Sequence, residues 1–90
     1  MGMETTQLTL YTTRICPYCV AAKRLMAQKN IAYNEIDVSW DQTLRESMVN
    51  KTGWRTVPLI LRGETLIGGY QELATMIRNG ELDDLMTNSG

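Results

Sequence analysis

The feature that most constrains the fold is a pair of alternating segments with a breaker-free stretch between them. "QLTLYTT", residues 7–13, sets Leu8 and Leu10 against Thr9 and Tyr11, and "IAYNEIDVS", residues 31–39, alternates again. A period of two is the signature of a strand, because successive side chains point to opposite faces. The intervening "YCVAAKRLMAQKN", residues 18–30, is rich in alanine and long unbranched side chains, which predicts a helix. Pro17 suits its first position, where a missing N–H costs nothing, and Asn30 suits its end. Cys19, Ala22 and Met26 fall at i, i+3 and i+7, giving an inward stripe with Leu25 beside it. Strand, helix and strand at this spacing form a βαβ unit, which requires parallel pairing and a right-handed crossover.

The rest of the chain adds a helix, a hairpin and a helix. Ser39 with Gln42 has the spacing of a capping box for the helix "DQTLRESMVNKT", residues 41–52. Leu44, Met48 and Val49 are expected to face inward there, and Gly53 to close it. "VPLILRGETLIGG" consists of two short apolar runs around Arg62-Gly63-Glu64, the pattern of a hairpin and hence of an antiparallel pair. "YQELATMIRNG" then places Leu73, Met76 and Ile77 on one helical face, and "ELDDLM" suits a last turn. The order β-α-β-α-β-β-α predicts an α/β fold, a mixed four-stranded sheet flanked by helices. With 90 residues there is chain for one core, so a single domain over 1–90 is expected, with 1–6 and 87–90 as flexible ends.

Charge excludes some function classes. The net charge is −1 with both signs interspersed, so no basic face recommends nucleic acid. No stretch approaches the roughly 20 apolar residues that span a membrane. Gly2 with Thr6 matches a myristoylation pattern, read as coincidence because one acyl chain anchors only marginally. "MGMETTQLTL" lacks a cationic head followed by an apolar run, so no export signal is expected. The expected compartment is the reducing cytosol, where structural disulfides are rare.

That expectation bears on "RICPYCV", residues 14–20, which holds the two cysteines of the chain. A structural zinc site needs about four ligands, and two cysteines without histidine cannot supply them. A staple across so short a loop removes little entropy from the unfolded chain. A reactive pair has positive support. Cys16 stands just before Pro17, at or next to the helix N-cap, where unpaired N–H groups and the positive dipole end stabilise an anionic sulfur. Cys19 lies one turn along, on the inward stripe, within reach of a disulfide formed at Cys16. A C-x-x-C pair between a strand and a helix thus reads as a redox pair.

"CPYC" in this setting resembles the dithiol glutaredoxins, which have the thioredoxin-like fold. "TVP", Thr56 to Pro58, is similar to the cis-proline loop of that family, and "GGY", Gly68 to Tyr70, to the Gly-Gly motif that opens its last helix. The resemblance runs from about Gln7 to Met86. It implies a glutathione-dependent disulfide oxidoreductase, with Cys16 as the attacking sulfur and Cys19 as the resolving one. Glutathione is then a co-substrate, and no metal or permanently bound cofactor is implied. The implied partners are disulfide-bearing or glutathionylated proteins, ribonucleotide reductase among the candidates, and the implied state is a monomer.

The resemblance also implies a glutathione site. The cysteinyl unit would pair with the Val57 backbone, which a cis bond to Pro58 turns outward, and Thr56 belongs to the same loop. The γ-glutamyl carboxylate would meet the N–H groups of Tyr70 and Gln71 after Gly69, since helix N-termini bind anions. Glu72 stands where the family often has an aspartate for the amine, and Tyr18 would flank the sulfur. For the glycyl carboxylate many relatives use a lysine where this chain has Thr13. Arg14, Arg45 and Arg55 are the candidate replacements, matching carboxylate geometry. Two alternatives remain at this level. One is a redoxin reduced by thioredoxin reductase, encouraged by the missing lysine. The other is an iron–sulfur carrier ligated by glutathione and Cys16 of two chains, which the proline after Cys16 disfavours by family resemblance.

Overall fold

The computed structural model describes residues 7–85. Four strands and three helices follow the expected order: β1 (Leu8–Thr12), α1 (Pro17–Gln28), β2 (Tyr33–Asp37), α2 (Gln42–Thr52), β3 (Leu59–Arg62), β4 (Thr65–Gly68) and α3 (Tyr70–Arg78), with a 3-10 turn at Asp83–Leu85. The sheet order is β2-β1-β3-β4. β1 runs parallel to β2, with Leu10 opposite Glu35, and antiparallel to β3, with Leu10 opposite Ile60. This is the thioredoxin-like arrangement, with the βαβ unit and the hairpin joined along β1 and β3.

Strand alternation sorts the core into two layers. Leu8, Leu10, Ile60 and Ile67 meet Ala22 and Met26 of α1 and Leu73 and Ile77 of α3 on one face. On the other face Leu59 and Leu61 meet Met48 of α2, with Tyr11, Leu44 and Trp54 packed at the margin. β3 is therefore buried on both sides, which explains its unbroken apolar run. β2 forms an edge, and its exposed Asn34, Glu35 and Asp37 discourage pairing with another chain. The β3–β4 ladder shifts register at Ile60/Leu61, where Ile60 pairs with Gly68 and Leu61 with Leu66. The extra residue, Ile67, turns inward and is buried.

Helix ends show where local signals held and where they did not. Asn30 adopts φ 57° after the Lys29 cap of α1, the left-handed stop that asparagine tolerates. Gly53 at φ 78° closes α2, its N–H donating to Val49 C=O at 2.7 Å. The expected Ser39–Gln42 capping box is corrected: Asp41 caps α2, its Oδ1 accepting from Leu44 N–H at 3.0 Å. Ser39 Oγ instead accepts from Arg14 N–H at 2.7 Å, a tertiary contact that fixes the loop after β1. Val49 is half-buried, and Met48 is the buried residue of α2. The expected flexible ends and the Gly2–Thr6 pattern lie outside the described residues.

Candidate active site

Cys16 occupies the N-cap of α1 in extended backbone, with Pro17 in the first helical position. Its sulfur accepts from Cys19 N–H at 3.2 Å, serving as the cap. Its carbonyl takes the Cys19 and Val20 N–H groups at 3.1 and 3.2 Å. The Cys16 thiol in turn donates to Val57 C=O at 3.5 Å, which ties the cap to the loop before β3. The Val57–Pro58 bond is cis. Of the two expected free groups on Val57, the carbonyl is thus engaged by Cys16. Among the described residues the N–H has no acceptor. Cys16 is half-exposed and Cys19 is buried, both as free thiols.

A groove of about 320 Å³ leads away from this point. One wall is aromatic: Tyr18 and Tyr70 stand with ring centroids 6.1 Å apart. Thr56, Val57 and Pro58 also line it, as do Gly69, Gln71 and Glu72, where α3 begins. The helix N-terminus at that end has the first-turn N–H groups of Tyr70 and Gln71 without helical acceptors. Glu72 Oε1 folds back to accept from Gly69 N–H at 3.0 Å. Gly68 is required here on two counts. Its φ is 123°, and an added Cβ would lie 2.9 Å from Glu72 Cγ.

The expected arginines do not line this groove. Thr13, Arg14 and Arg45 open onto a neighbouring depression with Ile15, Ser39 and Trp40. Arg45 and Arg55 also flank a small cavity behind Thr56 and Val57. Sequence reasoning missed Trp54, which lines both that cavity and the groove. Its ring lies 3.2 Å from where a Cβ on Gly69 would stand. Its Nε1 is buried and has no hydrogen-bond partner among the described residues. The available signal was a large aromatic in a loop directly before "TVP". Among the described residues no three His, Cys, Asp or Glu side chains converge to hold a metal.

The glutaredoxin family model matches residues 8–67 of this chain. A glutaredoxin of Pseudomonas aeruginosa is 40% identical over 80 residues, covering 89% of this chain and 95% of the relative. Glutaredoxin 3 of Escherichia coli K12 is 35% identical over 77 residues, covering 86% and 93%. The chain belongs to the glutaredoxin family.

Solved structures agree. The glutaredoxin of Brucella melitensis superposes with a TM-score of 0.78 at 37% identity, covering 94% of each chain. A buckwheat glutaredoxin–glutathione complex gives 0.80 at 27% identity, covering 88% of this chain and 74% of the other. Glutaredoxins are glutathione-dependent thiol–disulfide oxidoreductases, and this is the activity of the chain. Neither alternative is favoured over it.

In this glutaredoxin the two sulfurs sit in unequal electrostatic settings. Burial pushes the Cys19 thiol up to about 12, and the hydrogen bond with Cys16 adds to it. The Thr13 backbone and the Lys23 charge act in the opposite direction. Behind the pair, Thr12, the buried polar residue of the core, donates to Glu35 Oε2 at 2.8 Å. Lys23 Nζ reaches the same oxygen at 2.9 Å. These two donors, Lys23 first, hold the Glu35 carboxyl below its ordinary value, and Glu35 raises Lys23.

Proposed function

We propose that glutathione lies along the groove between Tyr18 and Glu72 with its sulfur at Cys16, and that the chain reduces glutathione mixed disulfides and protein disulfides. The observation that carries this reading is the junction at Cys16. A half-exposed cysteine at a helix N-cap contacts the carbonyl of Val57, a residue that lines the groove. In this reading the cysteinyl unit donates to and accepts from the Val57 backbone, its amide displacing the Cys16 thiol from the carbonyl once that thiol has reacted. The γ-glutamyl carboxylate takes the Tyr70 and Gln71 N–H groups. Glu72, held by Gly69 N–H, presents its charge to the amine. Arg45 and Arg55, which line one cavity with Thr56 and Val57, receive the glycyl carboxylate. Thr13 and Arg14 share a depression with Arg45 and complete the rim on that side.

The chemistry is thiol–disulfide exchange in two modes. In the first, the Cys16 thiolate attacks the glutathione sulfur of a mixed disulfide, forming Cys16–S–SG and releasing the substrate thiolate. A glutathione thiolate then attacks that bond, giving oxidised glutathione and regenerating the Cys16 thiolate. In the second, Cys16 attacks a protein disulfide and Cys19 attacks the resulting bond, so that the substrate leaves as a dithiol. Two glutathiones then reduce the Cys16–Cys19 disulfide and leave as one oxidised glutathione. Only the second mode needs Cys19. A glutathione-coupled assay on the wild type, Cys16→Ser and Cys19→Ser tests this division. Cys16→Ser is inactive in both modes, and Cys19→Ser retains deglutathionylation. Equal loss in both variants on a glutathionylated substrate contradicts the one-cysteine step.

A further inference from the structure

Trp54 carries a group that packing does not explain. Its ring packs at the margin of the layer formed by Met48, Leu59 and Leu61, and it lines the groove with Thr56 and Gly69. Packing asks only for an apolar ring, which phenylalanine would also supply. The indole adds a donor, Nε1, which is buried and has no hydrogen-bond partner among the described residues. A buried donor left unpaired is costly, and such an atom calls for a partner. An indole N–H can only donate, so that partner is a carbonyl or a carboxylate and never an amine.

The ring geometry says where the partner lies. Cζ2, on the same edge of the indole as Nε1, stands 3.2 Å from the point where a Cβ on Gly69 would lie. Glu72 Oε1 stands 3.5 Å from that point. The donor edge and the carboxylate therefore flank one spot, over the N-cap of α3. The Pro58 carbonyl oxygen, 3.6 Å from the same point, does not take the indole proton. Glu72 already accepts from Gly69 N–H and has the charge to receive an amine. The first-turn N–H groups of Tyr70 and Gln71 open at the same helix end. Three donors and an anionic acceptor at one glycine match the head of an α-amino acid, whose carboxylate and amine share one carbon.

We propose that the Trp54 indole N–H is a further binding group of the groove and donates to the α-carboxylate of the γ-glutamyl unit, while Glu72 takes the amine. Trp54 thereby selects a thiol that carries an intact α-amino acid head. The proposal rests on glutathione occupying the groove and adds the residue that reads this head. Nε1 comes into the groove by a tilt of the ring, which a half-buried indole has room to make. The tilted ring gains its hydrogen bond only when the carboxylate is present, so the ligand selects it. The glycyl carboxylate is the rival acceptor, because Trp54 also lines the cavity of Arg45 and Arg55. The approach of Cζ2 to Gly69 favours the γ-glutamyl end.

The test uses the Cys19→Ser protein with Cys16 locked in a mixed disulfide, which holds the ligand at full occupancy. Three thiols are compared: glutathione, its analogue lacking the γ-glutamyl α-carboxylate, and its glycinamide analogue. The Trp54 indole N–H resonance, assigned by its loss in Trp54→Phe, moves downfield in the glutathione and glycinamide adducts and stays in place in the decarboxylated one. In turnover, Trp54→Phe keeps an aromatic ring and removes the donor. The KM rises about tenfold for glutathione with kcat little changed, and far less for the decarboxylated analogue. An indole that ignores the α-carboxylate, or follows the glycyl carboxylate instead, overturns the proposal. Equal rises in KM for both thiols overturn it too, since they mark lost packing. If the Tyr70 and Gln71 amide resonances respond to the α-carboxylate and the indole does not, this proposal alone falls. If none of the three responds to glutathione, the glutathione reading falls with it.

Discussion

The Cys19 backbone N–H donates to the Cys16 sulfur across 3.2 Å, so the attacking atom is also the cap of the helix that carries its resolving partner. One turn of helix sets both roles. The residue at the cap is half-exposed, and the one a turn further on is buried. Capping by sulfur also fixes the distance over which the second thiol must act.

The first prediction concerns the pH dependence of resolution. The Cys19 thiol is pushed up to about 12, chiefly by burial, so only a small fraction is thiolate near neutrality. Burial persists when Cys16 is in a mixed disulfide, although the hydrogen bond with its thiol does not. Between neutral pH and that raised value, the thiolate fraction of Cys19 grows about tenfold per pH unit. Stopped-flow release of substrate from a Cys16 mixed disulfide should therefore accelerate steeply with pH in the wild type. A flat profile from neutral to mildly alkaline pH would show that Cys19 is activated by some other group.

The second prediction separates the two candidate caps of α2. Asp41→Ala removes the acceptor of Leu44 N–H and should cost about 0.5–2 kcal/mol in urea unfolding. Ser39→Ala leaves that cap intact and frees Arg14 N–H, which is exposed and can turn to water. Its cost should be the smaller of the two. The opposite ranking would restore Ser39 as the cap.

Those two residues also show what the sequence can and cannot disclose. Periodicity is a local property, so the alternation at Leu8 and Leu10 and the stripe of Cys19, Ala22 and Met26 are legible without the fold. Pro17 and Gly53 are legible for the same reason, since each suits one backbone conformation. Ser39 and Asp41 are both competent caps, and the choice between them depends on the loop after β1 coming close enough for Arg14 to claim Ser39. That is tertiary information. Trp54 is a similar case: an aromatic in a loop can face a core or a ligand, and only the packing of α2 against β3 and of Gly69 against the indole places it at the groove. Thr13, Arg14 and Arg45 are far apart in sequence or ordinary as surface types, and only the approach of the loop after β1 to α2 brings them to one depression.

The third prediction uses the Glu35 carboxylate. Its folded value is lowered, first by Lys23 and then by Thr12, so its contribution to stability is present above the ordinary carboxylate range and is lost as pH falls through the folded value. The pair is about a third exposed, at 34% for each side chain, and solvent screening limits such pairs to about 0.2–1 kcal/mol. Glu35→Gln should therefore lower the melting temperature slightly at neutral pH and flatten its acid limb. Parallel acid limbs for wild type and variant would show that the pair contributes nothing to folding.

The last prediction concerns the end of the groove. At Gly69 the backbone is extended, at φ −110° and ψ −158°, a conformation open to alanine. The new methyl would lie 3.2 Å from Trp54 Cζ2 and 3.6 Å from the Pro58 carbonyl oxygen. The indole must give by a few tenths of an ångström, and overpacking of this kind costs about 1–3 kcal/mol. Trp54 is also a groove residue, so the displacement should reach the ligand. In Gly69→Ala the KM for glutathione should rise several-fold with kcat little changed, as expected when binding common to ground and transition states is weakened. Gly68→Ala should be worse for the fold itself. Its φ of 123° is closed to alanine, and the methyl would meet Glu72 Cγ at 2.9 Å, disturbing the carboxylate that holds Gly69 N–H. Urea unfolding with glutathione titrations on both variants checks the ordering. A Gly69→Ala protein that binds glutathione as tightly as wild type would remove Trp54 from the groove wall.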